Sequence, residues 1–438
     1  MKRLLSERFY TYWADTEHSC TVRITIKMRD SIDKGLMQEA LVATGKRYPY
    51  YKVRLNKVSD ANGSEYYVLE ETELPWVVMP TEKPATLLSS ESNDHLLAFS
   101  CWDDCIALDF FHALTDGIGS FNLMRTLMYE YCRRRYDSKL SREGIRVEGD
   151  DISPDEWADP ASQPQPDDIK LVPVPPISHP INLIADSVVP LNNDVETVCL
   201  KIDEKQMMQY VKSHDTSPAT LTSLLIARAI ARLHPEINNT EHCSDTADET
   251  APVVALAINQ RPALGTPQTG VSLASALRLS LTREIREMND DQQQSTFRKM
   301  VTLLSNAGNI ANTFWQTQNK MDMLERIPNV IGRHQAMTAA DPLIRTSTTC
   351  ALSYVGKANF GAAEQYINRM YSEAWAPYAL TVHLTAAGGQ FIVSWMQRFS
   401  TDDYLNAFID EIRRLEIDVS IICRQDLTIA NIDQNFNR

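Results

Sequence analysis

The sequence has no long hydrophobic run. None of its apolar stretches approaches the ~18 consecutive residues that a membrane-spanning helix needs, so no transmembrane segment is expected. Residues 1–8 carry positive charge as a signal peptide does, but no apolar centre follows, and secretion is not expected either. A hydrophobic fraction of 43% and a charged fraction of 23% are typical of a soluble globular protein. We therefore expect a globular protein of the cytoplasm.

The sequence also has fewer positively charged than negatively charged residues. The 43 Lys and Arg residues are outnumbered by 57 Asp and Glu residues, which gives a net charge of −14 at pH 7. Because nucleic-acid binding requires a basic face for the phosphates, nucleic acid is not expected as a partner. The one dense basic run, three arginines at 133–135, ends a predicted helix, where cations complement the helix dipole. We favour that role over a phosphate-binding site.

The eight cysteines are scattered along a chain of 438 residues. Only Cys101 and Cys105 lie close together, on either side of a segment that predicts a hairpin turn. A zinc site needs further ligands, and no second cluster supplies them, so no metal is expected. Scattered cysteines of this kind indicate reduced thiols in a cytoplasm.

The G-x-S-x-G motif of serine hydrolases is missing, and no cysteine lies in a recognisable Cys–His motif. The sequence does contain His112-Ala-Leu-Thr-Asp116-Gly117, between a predicted strand, Cys105–Phe111, and a predicted helix over 117–136. A histidine at such a junction lies at the rim of a core, where a substrate can reach it. With an unperturbed pKa of about 6.5 it can act as a general base. A buried structural histidine satisfied by Asp116 is the alternative.

These residues resemble the H-x-x-x-D-G signature of the CoA-dependent acyltransferase superfamily with the chloramphenicol-acetyltransferase-like fold. The superfamily includes alcohol acetyltransferases, BAHD enzymes, wax ester synthases and the condensation domains of peptide synthetases. Its signature often begins with a second histidine, and Phe111 stands at that position here. The resemblance implies that His112 is the catalytic histidine. The BAHD motif D-F-G-W-G is missing, since Asn359-Phe-Gly361 is only faintly similar, which argues against that branch.

Two segments of the second half resemble further motifs of the same superfamily. Asn259-Gln-Arg261-Pro is similar to an N-x-R-P segment after a strand, and Leu352–Gly356 is similar to a strand end with the pattern S-x-x-G. The resemblance implies that Asp116 pairs with an arginine rather than with the histidine, and we predict that Arg261 is its partner. Asn259 and Ser353 are candidates for substrate or oxyanion binding, with structural strand-end roles as the alternative for both.

Strands and helices alternate along the chain without regular βαβ units, which predicts an α+β fold with mixed sheets. Residues 153–190 hold nine of the 21 prolines and predict an extended crossover packed on the surface, with a disordered tether as the alternative. We therefore divide the chain into an N-terminal lobe (1–152), a proline-rich linker (153–190) and a C-terminal lobe (191–438). The resemblance implies two similar lobes of mixed sheets flanked by helices, with the active site in a tunnel between them.

The periodicity of apolar residues predicts further elements in both lobes. Strands are predicted at Cys20–Ile26, Tyr66–Glu70, Leu96–Trp102, Val195–Ile202, Val253–Ile258, Val271–Leu281, Thr348–Tyr354, Ala379–Leu384 and Gln390–Met396. Helices are predicted at 31–47, 203–214, 218–233, 292–324 and 402–415.

The resemblance implies direct acyl transfer from acyl-CoA, with acetyl-CoA as the expected donor. Neutral His112 would take a proton from an acceptor hydroxyl or amine as it attacks the thioester, and would return it to the departing thiolate. Gly117 is expected to allow unusual backbone angles and to leave room for substrate. One alternative is a condensation-type enzyme that receives its acyl group from a carrier protein. The other is a non-catalytic binding protein of the same fold.

Overall fold

The structure is a computed structural model that describes residues 2–3, 5–184, 191–238 and 249–437. The strands of the first half are β1 (Lys2–Arg3), β2 (Thr21–Met28), β3 (Val53–Ser59), β4 (Glu65–Glu71), β5 (Val78–Met79), β6 (Leu97–Trp102), β7 (Cys105–Phe111) and β8 (His179–Pro180). Those of the second half are β9 (Leu191–Asp203), β10 (Thr250–Ala251), β11 (Val253–Asn259), β12 (Ala274–Ser280), β13 (Cys350–Lys357), β14 (Ile367–Ala374), β15 (Leu380–Ala387), β16 (Gln390–Phe399) and β17 (Val419–Asp426). The helices are α1 (Arg8–Trp13), α2 (Lys34–Arg47), α3 (Gly117–Arg135), α4 (Glu204–Ser213), α5 (Pro218–Leu233), α6 (Arg283–Arg286), α7 (Asp290–Leu304), α8 (Ala307–Leu324), α9 (Val330–Arg345) and α10 (Asp403–Arg413).

Two mixed sheets organise the chain. The five-stranded sheet has the order β14-β2-β7-β6-β5, and the seven-stranded sheet has the order β12-β11-β13-β15-β16-β9-β17. Each contains parallel and antiparallel pairs, for example β5 with β6 and β11 with β13 in parallel. Helices α5 and α10 pack on each other and cover the larger sheet, and α2 packs on α3. The predicted α+β fold with two mixed sheets flanked by helices is confirmed.

The seven-stranded sheet has two unlike faces, because successive strand residues point to opposite sides. Leu256, Leu352, Val382 and Trp395 share one face and are buried against the helices. The opposite face carries small side chains, namely Ala257, Ala276, Ala351, Ser353, Thr381 and Thr385. Small side chains cannot fill the space in front of them, so this face leaves room for a cavity.

Local sequence accounts for where several helices begin and end. The Asp33 carboxylate caps α2 by accepting from the backbone N–H of Leu36, and Pro49 follows the helix end. Ser217 caps α5, with Pro218 in its first position. The predicted helix over 292–324 is wrong in one respect. It is two helices, because Asn306 caps α8 and starts a new one.

Five elements of the described second half have no counterpart among the predicted ones: the short β10 and α6, and the longer β14, α9 and β17. The place of β14 matters most, because it pairs antiparallel with β2 and so belongs to the five-stranded sheet. The second half of the chain therefore contributes to both sheets. Strand β15 belongs to the larger sheet and packs against β14, which brings the two sheets together at this point.

The proline-rich segment is described as far as residue 184 and lies against α8. Asn309 of α8 accepts a hydrogen bond from the Val172 backbone N–H at 3.0 Å and donates one to the Val172 carbonyl at 3.1 Å. Its regular structure is limited to two short 3-10 turns and the two-residue strand β8. Residues 185–190 of the predicted linker lie outside the described residues. None of the helices in the described ranges is long and apolar enough to cross a membrane.

Candidate active site

The turn between β7 and α3 is fixed by a helix cap. Asp116 is the residue before α3, and its carboxylate accepts hydrogen bonds from the backbone N–H groups of Ile118 and Gly119 at 3.0 and 2.9 Å. The backbone N–H of His112 donates to the Cys20 carbonyl of the neighbouring segment at 2.9 Å. The histidine is thus held at the end of β7, with its backbone bound to the sheet.

Arg261 forms the ion pair with Asp116 that the sequence predicts. Its Nη1 and Nη2 atoms donate to the two carboxylate oxygens at 2.9 and 2.8 Å, and both side chains are buried. The guanidinium also donates to the carbonyls of Thr269 and Val271, both at 2.7 Å. Burial alone would raise the pKa of Asp116, but the charge and hydrogen bonds of Arg261 lower it overall. Asp116 is therefore ionised and fully engaged away from the histidine.

The imidazole of His112 is held from two sides. Its Nδ1 atom lies 3.2 Å from the Ser272 hydroxyl, and the Tyr10 ring stacks on it with 4.3 Å between centroids. Nδ1 also faces the backbone carbonyl of His112 itself, which can only accept a hydrogen bond. These contacts favour the tautomer with the proton on Nδ1, so that Nε2 keeps its lone pair. Burial lowers the pKa of His112 below its usual value, and the imidazole is neutral at pH 7.

Glu7 lies behind Ser272 and is buried beside the ion pair. Burial, followed by the charge of Asp116, raises the pKa of Glu7 well above its usual value, although the Ser272 hydroxyl opposes this effect. A protonated carboxyl group therefore lies on the far side of the serine that contacts His112. The sequence analysis missed both residues, because nothing in their spacing links two segments so far apart in the chain.

A cavity of about 940 Å³ lies between the two sheets in front of this turn. Five of the six predicted site residues line the cavity, namely His112, Asp116, Gly117, Asn259 and Ser353. The sixth, Arg261, is buried behind them. Most of the remaining wall is apolar and aromatic, including Phe9, Trp13, Phe121, Ile310, Met370 and Trp375. His383 also lines the cavity.

Asn259 and Ser353 each present one polar group that is not used within the described residues. The side-chain oxygen of Asn259 accepts from the backbone N–H and Nη1 of Arg261 at 3.1 and 3.2 Å, which leaves its amide nitrogen for a ligand. The Ser353 hydroxyl lies on the small-residue face of β13 and forms no hydrogen bond to another described residue. Both groups are positioned to donate to an oxygen bound in the cavity.

Gly117 has a different role from the one expected. It is the first helical residue of α3 and does not have a left-handed backbone conformation. A Cβ atom at this position would lie 2.7 Å from Cγ1 of Val355, closer than real contacts allow. The expectation of unusual backbone angles is therefore wrong. Glycine is required because the turn packs directly against β13.

Comparison with known proteins shows which solved structures share the fold of this chain. No family model matches the sequence, and no curated protein matches it. TRI101 of F. sporotrichioides, solved with coenzyme A and T-2, matches 96% of this chain and 99% of its own at 11% identity, with a TM-score of 0.59. The epimerization domain of the third module of tyrocidine synthetase B matches 94% and 95% at 11% identity, with a TM-score of 0.58. Polyketide synthase associated protein 5 from Mycobacterium tuberculosis matches 93% and 96% at 13% identity, with a TM-score of 0.55.

The chain has the chloramphenicol-acetyltransferase-like fold, which it shares with these structures. The fold that the sequence resemblance implied is thus confirmed over nearly the whole chain. At identities of 11–13% the likeness establishes the fold alone, and the reaction has to be argued from the site.

The position before His112 is a core position. Phe111 is fully buried, and its ring contacts Phe436 edge-on with 6.0 Å between centroids. The basic run at the end of α3 does not line the cavity either. Arg133 and Arg134 both pair with Glu130, as expected for residues that stabilise a helix end.

Proposed function

We propose that the protein transfers an acyl group, most simply acetyl, from acyl-CoA to the hydroxyl or amine of a small acceptor. The observation that carries this proposal is the state of His112 in the cavity. Its Nδ1 is occupied by Ser272 and its Nε2 forms no hydrogen bond to a described residue. Burial keeps it neutral at pH 7, which is the form that a general base requires.

The reaction would proceed by direct attack. Nε2 of His112 takes the proton of the acceptor O–H or N–H while the oxygen or nitrogen adds to the thioester carbonyl carbon. The carbon–sulfur bond of the tetrahedral intermediate then breaks. The proton on Nε2 passes to the departing thiolate, so that free CoA and the ester or amide leave and the histidine is neutral again. No acyl-enzyme forms in this scheme.

The charge that develops on the carbonyl oxygen needs donors in the cavity. The amide nitrogen of Asn259 and the hydroxyl of Ser353 support this role, since neither has another hydrogen-bond partner among the described residues. Asp116 and Arg261 support the reaction indirectly, because they hold the turn that carries His112. We place the activity in the cytoplasm, where the thiols of the described cysteines would stay reduced.

The test is thiol release from acetyl-CoA and longer acyl-CoAs by the purified chain, with a panel of alcohols and amines. We expect thiol release that depends on the acceptor, and a loss of at least about a hundredfold in kcat for His112→Ala. His214→Ala is the matched control, because His214 is exposed and stacks on Tyr210 away from the cavity. Equal rates for the His112→Ala variant and the wild type would remove the proposed base. Transfer only from an acylated carrier protein would replace acyl-CoA as the donor.

A further inference from the structure

His383 is a second histidine in the cavity, and the proposed reaction does not use it. It lies in the middle of β15 and is only 9% exposed, yet its side chain lines the cavity. Its neighbours across the sheet are Ser353 on β13 and Ser394 on β16. The side chain therefore extends from the small-residue face, level with the proposed oxyanion donor Ser353.

One ring nitrogen of His383 is fixed and the other is free. Nδ1 lies 3.0 Å from the hydroxyl of Ser372, which belongs to β14 of the five-stranded sheet. This contact joins the two sheets and fixes the orientation of the ring. Nε2 forms no hydrogen bond to another described residue. A buried nitrogen that faces a cavity without a partner is a group that a ligand can satisfy.

His383 is uncharged at neutral pH and is a weak base. Burial, with a further contribution from His112, lowers the pKa of His383 to about 4. At neutral pH the imidazole therefore carries no charge, and it can form hydrogen bonds with an uncharged polar group of a ligand. The effect of one histidine on the other also indicates that both act in the same part of the cavity.

The surroundings of His383 suit a broad apolar molecule. Met370, Trp375 and Tyr378 line the cavity from the segment that includes β14, and alanines line it from the seven-stranded sheet. Such walls bind an apolar body by burial of surface and leave its few polar groups to specific partners. Nε2 of His383 is one such partner, and the general base is another.

We propose that His383, oriented by Ser372, is a hydrogen-bonding subsite for the acceptor. It binds a second hydroxyl, carbonyl or amine of a largely apolar acceptor whose reacting group lies at His112. The inference rests on the proposed function and deepens it, since it assigns the acceptor to a class: apolar alcohols or amines that carry a second polar group.

The test compares α,ω-diols of increasing chain length with 1-alkanols of the same length. Binding is measured by calorimetry in the absence of acyl-CoA, and transfer is measured by thiol release. For the best-fitting length we expect the wild type to bind the diol about tenfold more tightly than the alkanol, the effect of one hydrogen bond. His383→Leu should bind both alike, with its affinity for acyl-CoA unchanged. Ser372→Ala, which removes a single hydroxyl, should lose most of the preference and serves if His383→Leu is unstable.

The outcomes separate the two proposals. The subsite would be overturned if the wild type showed no preference for any diol, or if the preference survived in both variants. It would also be overturned if the variants lost affinity for acyl-CoA instead of the preference for the diol. Preferential diol binding that depends on His383, without transfer to any acceptor, would support the subsite and contradict the proposed reaction.

Discussion

Arg261 binds Asp116 through both terminal nitrogens, at 2.8 and 2.9 Å, so the aspartate beside the candidate catalytic histidine faces an arginine. The arginine comes from the segment after β11 of the larger sheet, and the aspartate caps α3 after β7 of the smaller one. The pair therefore connects the two sheets at the turn that carries His112. These contacts fix the turn that carries His112, and the hydrogen bonds of Asp116 go to Arg261 and to backbone N–H groups.

Replacing Asp116 by Asn should destabilise the protein strongly. The change leaves the guanidinium of Arg261 buried without a counter-charge, which costs about 3–5 kcal/mol. Activity should fall as well, because the capped turn loses its anchor. Urea unfolding of the variant and the wild type, followed by circular dichroism, measures the difference.

Asp410→Asn is the control for this change. Asp410 pairs with Arg232 at 2.9 Å, but both side chains are about half exposed, so less than about 1 kcal/mol is expected. Because the pKa of Asp116 is lowered in the folded state, its contribution is present above its unfolded pKa and is lost as the pH falls through the folded value. If Asp116→Asn were as stable as Asp410→Asn, the result would contradict the anchoring role of the Asp116–Arg261 pair.

The sequence predicts the position of His112 between β7 and α3 because the signals for this junction are local. Strand β7 alternates, and α3 begins after Asp116, a residue type that caps helices. The pairing of Asp116 with Arg261 spans 145 residues and is implied by the family resemblance. Strand β14 is different. Its pairing with β2 joins segments more than 300 residues apart, and its sequence, INRMYSEA, has no clear alternation. No local pattern predicts such a partner.

Ser272→Ala should lower kcat by about a hundredfold and leave the KM for acyl-CoA nearly unchanged. The serine orients His112 through Nδ1, and a small misplacement of a catalytic group has an effect of this size. Ser223→Ala is the control, since Ser223 is an equally buried serine that bonds within α5. Steady-state kinetics that show a change in KM alone would indicate that Ser272 binds substrate instead.

Glu7→Gln should retain most of the activity, whereas Glu7→Ala should lose it. Burial and the neighbouring Asp116 keep Glu7 protonated, so a neutral amide of the same size reproduces its contacts with Ser272. An ionised carboxylate at this position would raise the pKa of His112 and would not tolerate the amide. Comparable losses in the two variants would show that the group is charged. The kcat of both variants, measured at pH 7, decides between these cases.

The pH dependence of kcat/KM should reflect the lowered pKa of His112. The free enzyme needs a neutral imidazole, and the rate constant falls as the pH drops through the pKa of that group. Because burial lowers this pKa, the acidic inflection should lie below the usual value of 6.5. A profile from about pH 4.5 to 8.5 tests this. An inflection at or above 6.5 would contradict a buried, uncharged environment for the base.

The residues that sequence reasoning missed are those whose role depends on where two segments meet. The alternation of β15 places His383 on one face of a strand, but it does not reveal that this face borders a cavity. The same holds for Glu7, which immediately precedes α1 and lies far from the motif in sequence. Contacts between distant segments are set by the packing of the sheets, which no single stretch of sequence encodes.

Gly117→Ala should destabilise the protein by about 1–3 kcal/mol, although alanine favours a helix more than glycine does. The added Cβ would lie 2.7 Å from Cγ1 of Val355, so the turn or β13 has to move. Val355→Ala in the same chain removes the clashing methyl groups and should restore much of the stability. Because His112 moves with the turn, kcat should fall in the single variant and recover in the double variant. Thermal unfolding and kinetics of both variants test this coupling. If the effects of the two substitutions were additive, the close contact between residue 117 and Val355 would not be the reason for glycine at this position.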